Sequence, residues 1–227
     1  MDKYIYLING HGAESYPAFS ARALKMAETL LENSQVEQLK LVYTAEPPRF
    51  SVIPFKRDKV AVISAFLSPG ANGIRLDDEP GFAGAYLVEE AIPVAYDKDW
   101  EDGRETPGVC LLTLFRKRKG IDRDTFIHRW HNSHTPLSLE IHPLWNYNRT
   151  VVTRRLGDRA EPWDGIVEEH FRTASDLLNP IKFFGHPLIM VYNMLRVYID
   201  TRSFLDYKTI RPYLAAEIIL KTGSGGR

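Results

Sequence analysis

The chain repeats one order of predicted strands and helices in its two halves, and this repeat limits the folds open to it. Alternating or continuous apolar runs predict strands, and apolar residues three and four apart predict helices. In the first half these patterns predict strands and one helix, at 3–9, 19–31 (the helix), 36–45, 60–67 and 85–96. In the second half they predict a strand at 108–115, a helix from Asp122 to about Asn132, a strand within 144–156 and a strand at 163–171. They also predict a largely helical 173–198, broken near Gly185 and Pro187, and a last strand or terminal helix at 211–220.

Both halves therefore favour the βαββαβ order of a ferredoxin-like unit, with a weak second helix in the first half. We predict an α+β fold in which two such repeats pack as an intramolecular barrel. The boundaries are a degenerate repeat at 1–100, a linker at 101–107, a second repeat at 108–222 and a flexible tail at 223–227. An open β face would expose a large apolar patch. We therefore expect the two sheets to face each other about a pseudo-twofold axis, and not to form one continuous sheet.

The charge balance and the cysteine count exclude several classes of protein. Lys plus Arg and Asp plus Glu both number 29, so the chain has no basic excess for nucleic acid or for a polybasic membrane clamp. The single cysteine, Cys110, excludes an internal disulfide framework and a Cys-rich zinc module. The apolar stretch at 181–199 carries Lys182 and Arg196, which predicts a buried helix rather than a membrane span. With no signal-peptide pattern at its start, the chain is expected to be soluble and cytoplasmic.

The second half resembles a known family. The segment FRKRKGIDRDTFIHRWHNSHTPL at 115–137 is similar to the opening of an EthD-type domain, with Trp130 four residues before His134, followed by Pro136 and Leu137. The similarity continues at 163–171 and 198–206 and extends over roughly 108–220. It implies a dimeric α+β barrel, which single-repeat relatives build from two chains and this chain would build alone.

The first half aligns with the second only by the spacing of its apolar residues. Phe19, Ala23 and Ala27 fall where Phe126, Trp130 and His134 fall in the second half. The first half therefore lacks the histidine, and we expect one competent site per chain.

Three histidines three residues apart lie on the helix that begins after Asp122. At about 100° per residue, His134 falls on the apolar arc with Phe126 and Trp130, His131 lies at its edge, and His128 faces solvent. We predict that His134 is the catalytic acid or base and that His131 is a second candidate. The structural alternative is a histidine that caps the helix end. The three histidines do not share one face of the helix, so they cannot bind one ion together, and no metal is predicted. The remaining metal alternative is a site formed by His131 and His134 with His170 or a glutamate as the third ligand.

The strand at 163–171 places Asp164, Ile166, Glu168 and His170 on one face. Acidic and basic groups on one face are typical of a polar pocket, with His170 catalytic and Glu168 binding substrate. The alternative is a solvated sheet face.

Four more residues complete the predicted site. Tyr147, near a strand start, is a catalytic helper that would orient a carbonyl or phenol, and Arg116, at a strand end, would hold a carboxylate. A rim role for Tyr147 and a solvated charge run at 116–119 are the alternatives. Phe126 and Trp130 would form the apolar wall. No dinucleotide, Walker or hydrolase-elbow motif is present, although the Asn9-Gly10-His11-Gly12 turn allows a close approach to a ligand.

Together these residues favour an enzyme that acts on a hydrophobic, oxygenated small molecule, with aromatic and polyketide-like compounds as candidates. The chemistry would be histidine-mediated proton transfer of the isomerase, cyclase, lyase or decarboxylase type, without a cofactor. The alternatives are a non-catalytic accessory or binding protein of a degradation pathway, and a haem-binding or cofactor-free oxygenase. A second copy of the chain is a candidate partner.

Overall fold

A computed structural model describes residues 1–223 of the chain; the end of the predicted tail, 224–227, lies outside the described residues. The strands are β1 (Asp2–Asn9), β2 (Val36–Thr44), β3 (Val60–Leu67), β4 (Phe82–Val94), β5 (Val109–Phe115), β6 (Asn146–Leu156), β7 (Gly165–Phe171) and β8 (Arg211–Lys221). The helices are α1 (Tyr16–Leu31), α2 (Arg123–His128), a π-helical segment (Arg129–His134), α3 (Thr135–Ile141), α4 (Ala174–Leu178), α5 (Pro180–Phe184) and α6 (Pro187–Phe204). The final element is therefore a strand and not a terminal helix.

The eight strands form one closed barrel in the order β1-β3-β2-β8-β5-β7-β6-β4, with every neighbouring pair antiparallel. The order within the first half is β4-β1-β3-β2, and the second half repeats it as β8-β5-β7-β6. The expectation of two sheets that do not become continuous was wrong, because β2 pairs with β8 and β4 pairs with β6. Closure pairs backbone groups that an open sheet would leave at its edges.

Helix α1 packs on the outer face of the first four strands. The Ser15 side chain accepts from the Ala18 N–H and caps the helix, and Pro at its first turn fits the unpaired N-terminal positions. Phe19, Ala23 and Ala27 are fully buried against the sheet. Between β3 and β4 the described chain has no helix, so the weak second helix of the first half is absent there.

The barrel interior is apolar at one end and charged at the other. Lys40 forms ion pairs with Glu168 and Glu217 inside the charged end. The predicted linker passes over this end, where Tyr96 and Thr106 donate hydrogen bonds of 2.6 and 2.9 Å to Glu217 Oε1. These residues follow β4 and precede β5, so the connection between the halves also satisfies a buried carboxylate.

The helix that carries the three histidines runs beyond Asn132, where the sequence predicts its end, and reaches Ile141. Asp122 caps its start. Pro136 has no N–H to donate, so a regular α-helical turn would leave a carbonyl unpaired. The chain instead widens into the π-helical segment, in which the Thr135 N–H and hydroxyl both donate to the Trp130 carbonyl, and then resumes as α3.

Helix α6 confirms the break predicted near Gly185 and Pro187, but it is not the buried helix predicted for 181–199. The chain breaks at Gly185, whose φ of 92° favours glycine, and α6 begins at Pro187. One side of α6 packs on the second half, but Leu188, Val191 and Leu195 are 87%, 68% and 53% exposed on the other. No helix in residues 1–223 is long and apolar enough to cross a membrane.

Candidate active site

A cavity of about 370 Å³ lies between the outer face of the second-half sheet and the helices that cover it. Strands β5, β6 and β7 form its floor, and the π-helical segment and α6 form its walls. Its lining is mostly apolar and includes Trp130, Phe183 and Phe204. The polar side chains in it include those of His134, Tyr147, Glu169 and Thr201. Binding cavities for small molecules have this composition and size.

His134 is held in this cavity by a carboxylate from α6. Its Nδ1 lies 2.8 Å from Asp200 Oδ2, and its Nε2 lies 3.2 Å from Ser138 Oγ. Ser133 Oγ donates a 2.6 Å hydrogen bond to the other oxygen of Asp200. Burial alone would raise the pKa of the Asp200 carboxyl, but the hydrogen bonds from His134 and Ser133 outweigh burial and lower that pKa. The ionised carboxylate therefore fixes both the orientation and the tautomer of the ring.

Trp130 and Tyr147 form a buried polar and aromatic pair at the cavity floor. Trp130 Nε1 donates a 3.4 Å hydrogen bond to the Tyr147 hydroxyl, and its ring packs edge-on against Phe115 with centroids 4.9 Å apart. Gly165 leaves room for these rings, because a Cβ there would lie 2.4 Å from Phe115 and 2.8 Å from Trp130. Burial raises the pKa of Tyr147, so its hydroxyl stays protonated.

Glu169 also lines the cavity, and the sequence analysis missed it. Desolvation raises the pKa of its carboxyl to about 7. Glu169 lies on the strand face shared by Val167 and Phe171, which looks apolar in the sequence. The signal available was a single carboxylate within that apolar face.

The predicted companions His170 and Glu168 lie on the opposite face of β7, inside the barrel, so they do not line the cavity of His134. Both are 1% exposed. His170 Nε2 lies 3.1 Å from Glu217 Oε2, and Glu168 pairs with Lys40. Burial alone would lower the pKa of His170, but contacts with Cys110 and Glu217 raise it. In place of the expected polar pocket, this face carries a network of buried ion pairs inside the barrel.

Two other predicted residues lie outside the cavity lining. Phe126 is fully buried behind Trp130, with ring centroids 5.5 Å apart. Arg116 pairs with Glu161 at 3.0 Å and stacks over Trp163, on the far side of the strand end.

The other two histidines of the helix lie where their helical-wheel positions predict. His131 is half-buried beside Trp130, and desolvation together with the charge of Arg149 lowers its pKa to about 4. His128 is exposed, as the wheel predicts. Within residues 1–223 no group of three or more His, Cys, Asp or Glu side chains is arranged to hold a metal ion.

Part of the second half matches a known family model. The EthD domain model matches residues 118–189. The match includes the π-helical segment, Tyr147 and Glu169, and it confirms the EthD resemblance over less than half of the chain; the similarity expected at 198–206, and with it Asp200, lies outside the matched segment. No curated protein matches the sequence.

A solved structure shares the fold. The crystal structure of an anthrone oxidase-like protein superposes with a TM-score of 0.57 at 10% identity, and the alignment covers 99% of this chain and 94% of that one. The chain therefore has a fold of the dimeric α+β barrel type.

Proposed function

We propose that the protein is an enzyme that moves a proton on a hydrophobic, oxygenated small molecule bound between the second-half sheet and its helices. The observation that carries this proposal is the His134–Asp200 pair, 2.8 Å apart at the wall of a largely apolar cavity. A carboxylate on Nδ1 fixes the imidazole so that Nε2 is the basic nitrogen. The Ser138 hydroxyl, 3.2 Å from Nε2, rotates away when substrate binds, and Nε2 then exchanges the proton with the substrate. Lyase, isomerase, cyclase and decarboxylase reactions all use such a step.

Tyr147 and Glu169 are the proposed helpers. The Tyr147 hydroxyl accepts the hydrogen bond from Trp130, which leaves its own proton available for a substrate carbonyl or phenolate oxygen. Glu169 has a pKa of about 7, so it is able to give or take a proton near neutral pH. His170, Glu168, Arg116 and His131 are not part of this proposal because they lie outside the cavity lining.

Anthrone is a suitable probe, because a solved protein of this fold is described as anthrone oxidase-like. It is a flat tricyclic ketone whose C10 protons are acidified by the carbonyl group. We expect the protein to accelerate exchange of the C10 protons in D2O under nitrogen, measured by NMR. His134→Gln should lower the exchange rate about 10²- to 10⁴-fold. His128→Gln, on the exposed face of the same helix, is the matched control and should leave the rate unchanged.

Equal losses in both variants, or a His134→Gln protein with an altered circular dichroism spectrum, would contradict a catalytic role for His134. Binding of anthrone without faster exchange would favour the accessory-protein alternative. Faster conversion of anthrone to anthraquinone in air, with O2 consumed, would favour the cofactor-free oxygenase. A Soret band in the purified protein would favour haem binding with His134 as the axial ligand.

We also propose that the two halves are tandem ferredoxin-like repeats related by a pseudo-twofold axis, with 1–100 and 108–222 as repeats and 101–107 as their linker. The shared strand order of the two halves supports this. Ala27, at the position of His134, is fully buried in a packed core, which supports one competent site per chain.

The absence of any cysteine pair supports a cytoplasmic location.

A homodimer formed through α6 completes the proposal. Leu188, Val191, Leu195 and Ile199 are more than half exposed and follow each other at spacings of three and four, which form one stripe on a helix. Two identical stripes can pack on each other about a twofold axis. Sedimentation velocity should show a dimer that Leu195→Asp dissociates; a monomeric wild-type protein at about 100 µM, where a dimer with a Kd in the µM range is formed, would contradict it.

A further inference from the structure

A second cavity, of about 610 Å³, opens at the apolar end of the barrel. It is formed where β1 and β5 end and β3, β4 and β8 begin, and it shares no lining residue with the cavity of His134. Leu114 and Tyr213 point into it from inside the barrel, whereas their neighbours Thr113 and Pro212 face the candidate active site. The two cavities therefore lie on opposite faces of one sheet.

The rim of this cavity carries an excess of positive charge in a chain that is neutral overall. Four cations, Arg57, Lys59, Arg159 and Arg211, face two carboxylates, Asp58 and Glu161. Glu161 is already paired with an arginine outside the cavity, at 3.0 Å. The rim is therefore an electropositive opening that attracts anions.

The arginines of the rim are positioned without being neutralised. Arg57 donates to the Pro48 carbonyl at 3.2 Å, and Arg159 donates to the Asp77 carbonyl at 2.9 Å. Within residues 1–223 the Arg211 guanidinium makes no hydrogen bond or ion pair. A guanidinium carries five donors, so each of these groups keeps donors for an anion.

The floor of the cavity is aromatic. Tyr86, Trp163 and Tyr213 are buried there in the apolar core of the barrel. The Tyr86 hydroxyl donates to the Glu161 carbonyl at 2.9 Å, whereas the Tyr213 hydroxyl has no hydrogen-bond partner within the described part of the chain. Tyr86 is 0% exposed and Arg116 stacks over the Trp163 ring, so a flat apolar group reaches this floor at Tyr213, whose hydroxyl would donate to an oxygen acceptor on it.

The Gly10 turn explains how the rim keeps this shape. Gly10 donates its N–H to the Lys59 carbonyl at 2.7 Å, and a Cβ on Gly10 would lie 2.5 Å from the Lys59 Cβ. Only glycine permits this approach, which fixes Lys59 at the rim.

We propose that the barrel mouth is a second binding site, specific for an organic anion: a flat apolar body lies against Tyr213 at the aromatic floor, and a carboxylate or sulfonate group is bound by Arg211 and Arg159. The site is separate from the proposed active site and does not depend on it. Its ligand differs from the substrate proposed above in requiring the negative charge.

Isothermal titration calorimetry with naphthalene-2-sulfonate tests the site, with 2-naphthol as the neutral body and inorganic phosphate as the anion alone. We expect the sulfonate to bind more tightly than either comparator, and its affinity to fall as NaCl rises from 50 to 500 mM. Arg211→Gln and Arg159→Gln should each weaken the binding of the sulfonate at least tenfold and leave that of 2-naphthol unchanged, because a charge-assisted hydrogen bond is worth about 1.5–3 kcal/mol. Arg154→Gln, an exposed arginine away from the mouth, is the matched control.

An unchanged Kd in both folded mouth variants would overturn the proposal, as would phosphate binding as tight as that of the sulfonate. No binding of the sulfonate at 1 mM to the wild-type protein would also overturn it. Loss of sulfonate binding in Trp130→Phe but not in Arg211→Gln would place the ligand in the other cavity and overturn it too. Circular dichroism and thermal melting of each variant separate a lost site from a lost fold.

Discussion

Ionisation of Glu169 is expected to destabilise the folded protein as the pH rises from 5 to 8. The carboxyl is half-buried in the candidate active site, and desolvation raises its pKa from 4.5 to about 7. The folded state therefore holds this proton at pH values where the unfolded chain has released it. Stability from the neutral carboxyl is fully present below the unfolded pKa and is lost as the pH rises through the folded pKa.

The magnitude follows from the shift in pKa. The folded and unfolded values differ by about 2.5 units, and each unit corresponds to 1.36 kcal/mol, which gives about 3.4 kcal/mol above pH 8. Part of this penalty is already present at pH 5, so the loss between pH 5 and pH 8 is about 2.5 kcal/mol. Solvent contact where the active-site cavity opens reduces this loss of stability to roughly 2 kcal/mol.

The assay is urea unfolding of the wild type and Glu169→Gln at pH 5, 6, 7 and 8. Glutamine keeps the shape of the neutral carboxyl and does not titrate in this range. The variant should therefore gain about 2 kcal/mol relative to the wild type between pH 5 and pH 8. Glu89→Gln, at an exposed position on β4, is the matched control and should show no such gain. A stability difference between Glu169→Gln and the wild type that stays constant across this range would refute the desolvation argument.

Two further predictions concern the residues that position the site. Asp200→Asn should lower the rate of anthrone exchange about 10²-fold or more with KM nearly unchanged, because the ring of His134 loses its fixed tautomer; a parallel rise in KM would instead indicate a binding role. Gly165→Ala should lower the free energy of unfolding by about 1–3 kcal/mol in urea titrations, because its methyl group would overlap Phe115 and Trp130; wild-type stability would show that these rings can move aside.

The apolar periodicity of the sequence located most strands and the order shared by the two halves. Strand residues of alternating polarity and the Asp122 cap are local signals, so they survive in any tertiary context. The helical-wheel positions also predicted that His128 faces solvent and that His134 lies on the same side as Trp130. In the structure His128 is exposed, and His134 and Trp130 both line the cavity. The helical-wheel positions agree with the structure although the helix contains a π-helical turn at Arg129–His134.

Contacts between distant segments determine which face of β7 packs against the helices. Alternation separates Glu168 and His170 from Glu169, but it does not say which set enters the barrel. The polar set lies inside because Lys40 on β2 and Glu217 on β8 neutralise it there, and these partners are far away in the sequence. Glu169 consequently faces the cavity of His134; the sequence shows it only as a single carboxylate on the apolar face of the strand.

The sequence by itself determined the local elements, the histidine helix and the residues of its apolar face, since each depends on neighbours within a few positions. Tertiary structure alone decided the closure of the barrel, the Asp200 partner of His134 and the basic mouth around Arg211. Each of these brings together groups from distant segments, and a hydrogen bond or ion pair between such groups leaves no periodic trace in the chain. Local pattern and the EthD resemblance therefore identified His134 as a candidate residue, and only the packing of α6 against its helix supplied the carboxylate that orients it.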